Sequence, residues 1–383
     1  MNNKTSFLGK TILNSLTFFI SAMSIIGCSP IAPNNDGFFE NSFDTIYFAE
    51  SSDCFLDNSS QDSASSLEET FGNSEWDSNL KCKLDLLNFY RTNTSDFIQY
   101  CFFTDPHFFW PTGDYSFGNH SLLDEWINFL KNAYYDSFSS FMVCGGDLLT
   151  NNDSISQAVY KLSFFDQLMK TSFDNYYFVV GNHDFNYQGN TYVSSGDRTR
   201  CTLSQEIIND IFFDGHSSYY SFSYASTSYY VFDSGIDWED KVITQYKKEQ
   251  LKWFSDCLLR DSKPHKTLLL HIPLMLFDEA LTAFTSSIGD IISAYNDRNS
   301  VTIDGIIFDY SNSFGHIDYI QSGHFHTDIN DYTCGGVPII ITRSFSSMEV
   351  ATRPTFDFVF TDYSNSIVRC VRVGDGEDRL FYF

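Results

Sequence analysis

The sequence predicts an α/β protein built as a four-layer α-β-β-α sandwich, two mixed β-sheets flanked by helices, and three observations point to it. Five short apolar, β-prone runs each end at once in a cluster of Gly, Asp, Asn or His. Segments with helical spacing of apolar residues lie between those runs, and a strand, helix, strand order implies parallel pairing through crossovers. Toward the C-terminus, strand-like runs follow one another without helices between them, which supplies material for a second sheet packed on the first.

Residues 1–27 read as a signal peptide. Lys4 and Lys10 are the only basic residues before Lys81, and they precede an apolar stretch from Thr11 to Ile26, short for a membrane span and suited to a signal core. The stretch ends in Ile25-Ile26-Gly27-Cys28, which resembles a bacterial lipoprotein lipobox, with Ile25 and Ile26 standing where Leu and a small residue are usual. The resemblance implies cleavage before Cys28, a lipid anchor on that thiol and residence in the cell envelope; an ordinary signal peptide or an uncleaved anchor is the alternative. Residues 28–92 read as the lipidated Cys followed by an acidic, Ser/Asn-rich tether. From Ser29 to Asn79 there is no Lys or Arg and there are eleven Asp or Glu, although Phe38, Phe39, Phe43, Tyr47, Phe48 and Phe55 suggest partial docking.

Residues 93–383 read as the folded domain. Its strand runs are FIQYCFF before Asp105-Pro106-His107, SFMVC before Gly145-Gly146-Asp147, and YYFVV before Gly181-Asn182-His183-Asp184. TLLL then precedes His271, and DYIQS precedes Gly323-His324-Phe325-His326. Helices are predicted around Leu122, Leu123, Trp126, Ile127, Phe129 and Leu130, around Ile155, Val159, Leu162, Phe165 and Leu168, and around Ile243, Tyr246, Gln250, Trp253 and Leu258. Tyr219 to Phe232 resembles a hairpin, and Val337 to Ile341, Thr355 to Thr361 and Ser366 to Val373 alternate like strands.

Twenty-three basic and 49 acidic residues give a net charge of −26. Such a surface disfavours nucleic acid, whose binding rests on Lys and Arg neutralising phosphates. It does not disfavour a small anion, because exposed charges are screened beyond about 8 Å and a bound metal dominates locally. Nine Cys are spread too thinly for a disulfide framework and contain no C-x-x-C pair; Cys101 and Cys144 fall inside strand runs as buried thiols, while Cys201, Cys257, Cys334 and Cys370 leave pairing open.

Ligands in α/β sheets collect beyond the carboxyl ends of parallel strands, so the five clusters converge. Two carboxylates, an amide oxygen and several imidazoles are donors for one or two divalent metals. Taken singly, each block has a plainer reading: a satisfied core His, an Asp-Pro turn, a Gly-Gly-Asp loop.

Together, and in this order over Phe97 to His326, the blocks D-x-H, G-D, G-N-H-D, H and G-H-x-H resemble the calcineurin-like metallophosphoesterase superfamily. Five of the nine His occupy its positions. The resemblance implies Asp105, His107 and His326 as ligands of one metal, Asn182, His271 and His324 as ligands of another, and Asp147 bridging them. It implies a metal-bridging hydroxide as nucleophile, His183 as general acid, and Asp184 as acceptor of a hydrogen bond from the other ring nitrogen of His183. Gly181 is expected to supply a tight turn. The cofactors implied are two divalent or mixed-valence transition metal ions, and N and O donors suit Mn, Fe and Zn alike. The Tyr expected after the G-D block in purple acid phosphatases is absent, since Leu148 and Leu149 stand there.

The function expected is hydrolysis of a small extracytoplasmic phosphoester, monoester or diester, by an exported and lipid-anchored enzyme. His271-Ile272-Pro273 and the block from His324 to Asp328 are similar to those of sphingomyelinase-like phosphodiesterases, whereas VFDSGIDW at 231–238 and Asn330-Asp331-Tyr332 resemble a branch of phosphatases. The alternative is a surface lipoprotein that keeps the fold for binding or structure without turnover. His120, Trp110 and Tyr187 are candidates for a substrate wall, and Arg198 and Arg200 for phosphate contact. His216, His265 and His316 are unassigned. Because imidazole ligands bind metal when neutral, acidification is expected to release metal and activity.

Overall fold

Helix α1 (Ser74–Asn93) lies inside the span assigned to a tether, and Leu80 and Leu87, two turns apart on one face, are buried in a core shared with Phe103 and Phe360. The computed structural model describes residues 74–107, 121–150, 153–186, 203–234, 240–274, 279–345 and 354–383. Within the span read as a tether at 28–92, Ser74 to Asn93 are therefore helical: acidic composition obscured an apolar pair whose burial requires a helix. Expectations placed on residues 1–73 with Cys28, and on Trp110, His120, Tyr187, Arg198, Arg200 and Cys201, lie outside the described residues.

Strand β1 (Phe97–Phe103) continues from the helix. Its side chains alternate as a pleated strand requires: Ile98, Tyr100 and Phe102 join one core, Cys101 and Phe103 another. Helix α2 (Ser121–Ser137), β2 (Met142–Cys144), α3 (Ile155–Ser172) and β3 (Tyr176–Phe178) follow, so that β1, β2 and β3 pair in parallel. Ser154 caps α3 with a reciprocal Gln157 contact that satisfies its first free N–H groups. A 3-10 turn (His183–Phe185) and helix α4 (Gln205–Phe212) lead into the hairpin β4 (Tyr220–Tyr224) and β5 (Thr227–Val231).

Helix α5 (Asp240–Arg260), β6 (His265–Leu269), α6 (Glu279–Asn296), the hairpin β7 (Ser300–Ile303) and β8 (Ile306–Asp309), and β9 (His316–Ser322) complete a second parallel set. The tail supplies β10 (Ile329–Asp331), β11 (Ile339–Ile341), β12 (Phe356–Asp362), β13 (Ile367–Val373) and β14 (Arg379–Tyr382).

Twelve strands form two six-stranded mixed sheets, ordered β14-β13-β12-β1-β2-β3 and β10-β11-β9-β6-β5-β4, and β7 and β8 pair antiparallel as a separate two-stranded sheet. Tail strands do not make a sheet of their own. Strand β12 pairs antiparallel with β1 and extends the first sheet, while β11 pairs parallel with β9 and extends the second. One core lies between the sheets, with Tyr100, Tyr229 and Tyr319 in it; the outer cores lie under α1 to α4 and under α5 and α6. That is the expected four-layer sandwich. The carboxyl ends of β1, β2 and β3 in one sheet, and of β6 and β9 in the other, are where the five motif clusters begin.

Among the described residues no helix is long and apolar enough to cross a membrane. Cys82, on α1, is disulfide-bonded, whereas Cys101, Cys144, Cys257, Cys334 and Cys370 keep their thiols out of disulfides.

Candidate metal centre

Each cluster begins one to three residues beyond its strand, and the first two are stitched together as though the sheet continued. The Asp105 N–H donates to the Gly146 carbonyl at 2.9 Å and the His107 N–H to that of Asp147 at 3.1 Å. Asp105 and Asp147 are fully buried and His107 nearly so. The backbone there is unusual: Asp105, His107, Asp147, His324 and His326 have φ of 51°, 38°, 60°, 74° and 55°. This left-handed region disfavours side-chain-bearing residues, with Asp, Asn and His the least penalised, and it costs on the order of 1 kcal/mol or more per residue. Five of the seven expected ligands share that strain.

Two glycines let the loops approach. A Cβ on Gly181 would stand 2.3 Å from Asp147 Oδ1, and one on Gly323 would stand 2.0 Å from Thr104 Oγ1 and 2.6 Å from Asp105 Oδ2. Gly181 is therefore required by close approach to Asp147, and not by the turn expected of it.

Hydrogen bonds orient the imidazoles. His107 Nδ1 donates to the Leu149 carbonyl and His271 Nδ1 to that of Gly145, both at 2.7 Å, which leaves Nε2 of each ring to present a lone pair. His107 Nε2 stands 3.1 Å from His326 Nε2, and His326 Nε2 stands 3.2 Å from Asp105 Oδ1. His271 Nε2 lies 3.0 Å from Asp147 Oδ2 and 3.8 Å from Asp105 Oδ1. Asp105, His107, Asp147 and His326 form one group of donor atoms lying within 4.8 Å of each other, and Asp147, His271 and His324 form a second. Asp147 belongs to both.

The fit to cations is visible in what is left unsatisfied. Asp105 Oδ1, Asn182 Oδ1, His271 Nε2 and His324 Nδ1 are all buried atoms with no hydrogen-bond partner. Buried polar atoms are rarely orphaned, and cations held by the two donor groups would satisfy atoms of this kind.

Electrostatics agree. Burial would raise the Asp147 and Asp105 carboxyls, yet nearby imidazoles, His271 above all, hold both below the usual range. Burial would lower His271, but the charges of Asp147 and Asp105 outweigh it and raise the ring to about 10. Its proton thus occupies the place a cation would take. Burial, then the charge on His271, pushes His324 down to about 4, so that ring is neutral and ready to coordinate at pH 7. His326 is raised, the Asp105 carboxylate outweighing burial.

His183 and Asp184 depart from the expected pair. The His183 N–H donates to Asp147 Oδ1 at 2.7 Å and its ring packs edge-on against His107, while Nδ1 has no hydrogen-bond partner. Asp184 does not reach that ring. Its carboxylate accepts the backbone N–H groups of Leu148 at 2.7 Å, Gly181 at 2.8 Å and Asp147 at 3.1 Å. Sited one residue along the same 3-10 turn, it is turned inward and fastens the second and third loops together. Burial and the Asp147 charge push it up to about 7 against the Gly181 and Leu148 donors.

Other supports escaped sequence reading. Ser234 Oγ accepts the His271 and Ile272 N–H groups, and Ser344 Oγ donates to the Asp105 carbonyl at 2.7 Å. Neither carries a spacing signal, because each acts across the tertiary structure. His265 and His316 lie at the other end of β6 and β9, where both contact Asp318, and His216 is exposed; none belongs to the site.

The chain matches no curated protein sequence. Among solved structures, a dimetal phosphatase from Danio rerio is similar at 14% identity and a TM-score of 0.46, covering 75% of this chain and 99% of its own. A predicted phosphoesterase from Streptococcus pneumoniae aligns at 11% identity over 75% of this chain and 98% of its own, with a TM-score of 0.30. The phosphopantetheinyl hydrolase of Mycobacterium tuberculosis aligns at 12% identity over 64% of this chain and 89% of its own, with a TM-score of 0.33. The calcineurin-like phosphoesterase family model matches residues 98–328, a stretch that begins in β1 and ends just past His326. Spanning more than half of the sequence and all five motif clusters, that match shows that the chain belongs to the calcineurin-like phosphoesterase family and is a metal-dependent phosphoesterase.

Proposed function

We propose that the protein hydrolyses small phosphoesters at a dinuclear centre, with Asp105, His107 and His326 holding one cation, Asn182, His271 and His324 the other, and Asp147 shared. The observation that carries this reading is the pair of donor groups meeting at Asp147. Bound there, divalent Mn, Fe or Zn would supply Lewis acidity toward the phosphoryl oxygens and make water acidic enough to attack phosphorus near neutral pH.

The protein's own contribution is orientation and proton delivery. Asp147 and His271 are fully buried, whereas His183 and His326 side chains are 29% and 24% exposed, so a substrate meets those two rings first. As the phosphorus–oxygen ester bond breaks, a proton from the His183 ring passes to the departing oxygen. Burial lowers the His183 pKa, and a phosphoester anion beside the ring favours the imidazolium and opposes that shift. Asp184 acts by holding Asp147 and the Gly181 turn in place.

We further propose that the enzyme is exported and anchored through lipid on Cys28. The signal-like N-terminus and the disulfide at Cys82, a bond that persists in oxidising compartments, support this. Monoesters and diesters are both compatible with the site.

Purified protein supplied with Mn, Fe or Zn and offered chromogenic mono- and diesters is expected to turn over one class. Asp147→Asn, which removes the shared carboxylate, is expected to lower kcat by at least roughly a hundredfold, on the scale of losing a principal electrostatic contact to the reacting centre. Two bound metals with no turnover on any phosphoester would favour a binding protein instead.

A further inference from the structure

A buried charge network runs from the tail strands to the loop that carries His326. Arg372 on β13 is 1% exposed and makes two forked contacts. Its Nε and Nη2 donate to Asp357 on β12 at 2.7 and 3.1 Å, and its Nη1 and Nη2 donate to Asp328 at 3.1 and 2.7 Å. Arg379 on β14 adds a contact to Asp357 at 2.9 Å. Asp357 and Arg372 belong to the first sheet, while Asp328 is the residue before β10 in the second and lies two positions after His326. Arg372 therefore ties the sheets together at a ligand loop. Bidentate guanidinium–carboxylate pairs fix direction as well as distance, which a single contact does not.

The two His ligands of this loop are anchored differently. His324 is held from upstream, where its N–H donates to Asp105 Oδ2 at 2.9 Å and the Gly323 N–H donates to the His271 carbonyl at 3.0 Å. His326 follows with φ of 55°, and downstream of it the Asp328 side chain meets Arg372 and accepts the Arg343 N–H at 3.1 Å. Crowding confirms how closely the parts fit: a Cβ on Gly376 would stand 2.9 Å from Asp328 Oδ2 and 3.0 Å from Arg372 Nη1.

We infer that Arg372, acting through Asp328, is a positioning residue for His326 and sets the affinity of the Asp105–His107–His326 cation position without setting that of the Asn182–His271–His324 position. This rests on the dinuclear reading above. Neither residue touches substrate or metal. Groups that orient metal ligands typically change affinity by about 10- to 100-fold when altered.

Arg372→Ala would leave Asp357 buried beside Arg379 alone and endangers folding, so the working variant is Asp328→Asn, of the same shape and with a side chain that is 21% exposed in the native protein. Stepwise Co²⁺ binding to the full chain is followed by absorption and calorimetry, with His326→Ala marking which step belongs to that ligand. The wild type is expected to take two equivalents. In Asp328→Asn the step marked by His326 weakens by roughly tenfold or more while the other holds, and in a His326→Ala background Asp328→Asn changes nothing further. Equal weakening of both steps, or of neither, with native circular dichroism, overturns the inference. A wild type that binds no second equivalent overturns the dinuclear reading instead.

Discussion

At His271 the site's chemistry is condensed into one proton. The ring is fully buried, bonded through Nδ1 to Gly145, and faces Asp147 through Nε2 at 3.0 Å. With its pKa raised to about 10, metal-free protein carries that proton at pH 7, and a cation must displace it. Binding metal therefore releases a proton, and affinity rises with pH below about 10. Calorimetry at pH 7 in buffers of different ionisation enthalpy is expected to show release of about one proton per His271 displaced; binding with no buffer dependence would contradict it. Asp184 makes a second residue-level prediction. Asp184→Asn turns a carboxylate oxygen into an amide N–H facing backbone donors, at a cost of about 1–3 kcal/mol for the group left unsatisfied. Metal affinity and kcat are expected to fall, while the pH limbs of the rate profile stay where they were. Moved limbs would instead favour the expected hydrogen bond from the His183 ring to Asp184. The Asp and His residues that gather around Asp147 were legible in the sequence because each stands just past an apolar run. The inward turn of Asp184 was not, because it depends on which backbone N–H groups the neighbouring loop brings near.

Among the elements, the five ligand-bearing strands could be read in advance, since FIQYCFF and DYIQS combine β-prone residues with an abrupt change to Gly, Asp and His. Helix α1 could not, since its surroundings are acidic and its apolar side is short, made of Leu80, Leu84, Leu86, Leu87 and Tyr90. Tail strand partners were equally hidden: the alternation in Phe356–Asp362 is that of a strand, and nothing local says that it pairs with β1, more than 250 residues earlier, and not only with its sequence neighbours in a separate sheet. The contribution of α1 is testable through Leu87, which has no exposed surface. Leu87→Ala is expected to destabilise the fold by about 2–5 kcal/mol, the range for emptying a buried Leu site, as read from urea unfolding. A change below about 0.5 kcal/mol, the level of an exposed position, would mean that the helix is not part of the core.

For the whole molecule, the sheets are joined by apolar packing and by the Asp357–Arg372–Asp328 network, and the network gives stability a pH signature. Burial would raise the Asp357 carboxyl, but Arg372 and Arg379 outweigh it and hold the folded-state pKa below the ordinary 3.8. A carboxyl depressed on folding contributes stability that is complete above its unfolded pKa and is lost as pH falls through its folded value. Thermal unfolding is therefore expected to weaken below about pH 4, and Asp357→Asn to flatten that acid limb; an unchanged limb would assign it to other carboxylates. The net charge of −26 leaves this interior network intact, because exposed charges are screened over about 8 Å. The most direct test of the dinuclear centre is anomalous diffraction from crystals grown with Mn or Zn. Two peaks are expected, one among Asp105, His107 and His326 and one among Asn182, His271 and His324, with Asp147 between them. A single peak, or metal bound away from Asp147, would contradict the shared-carboxylate site.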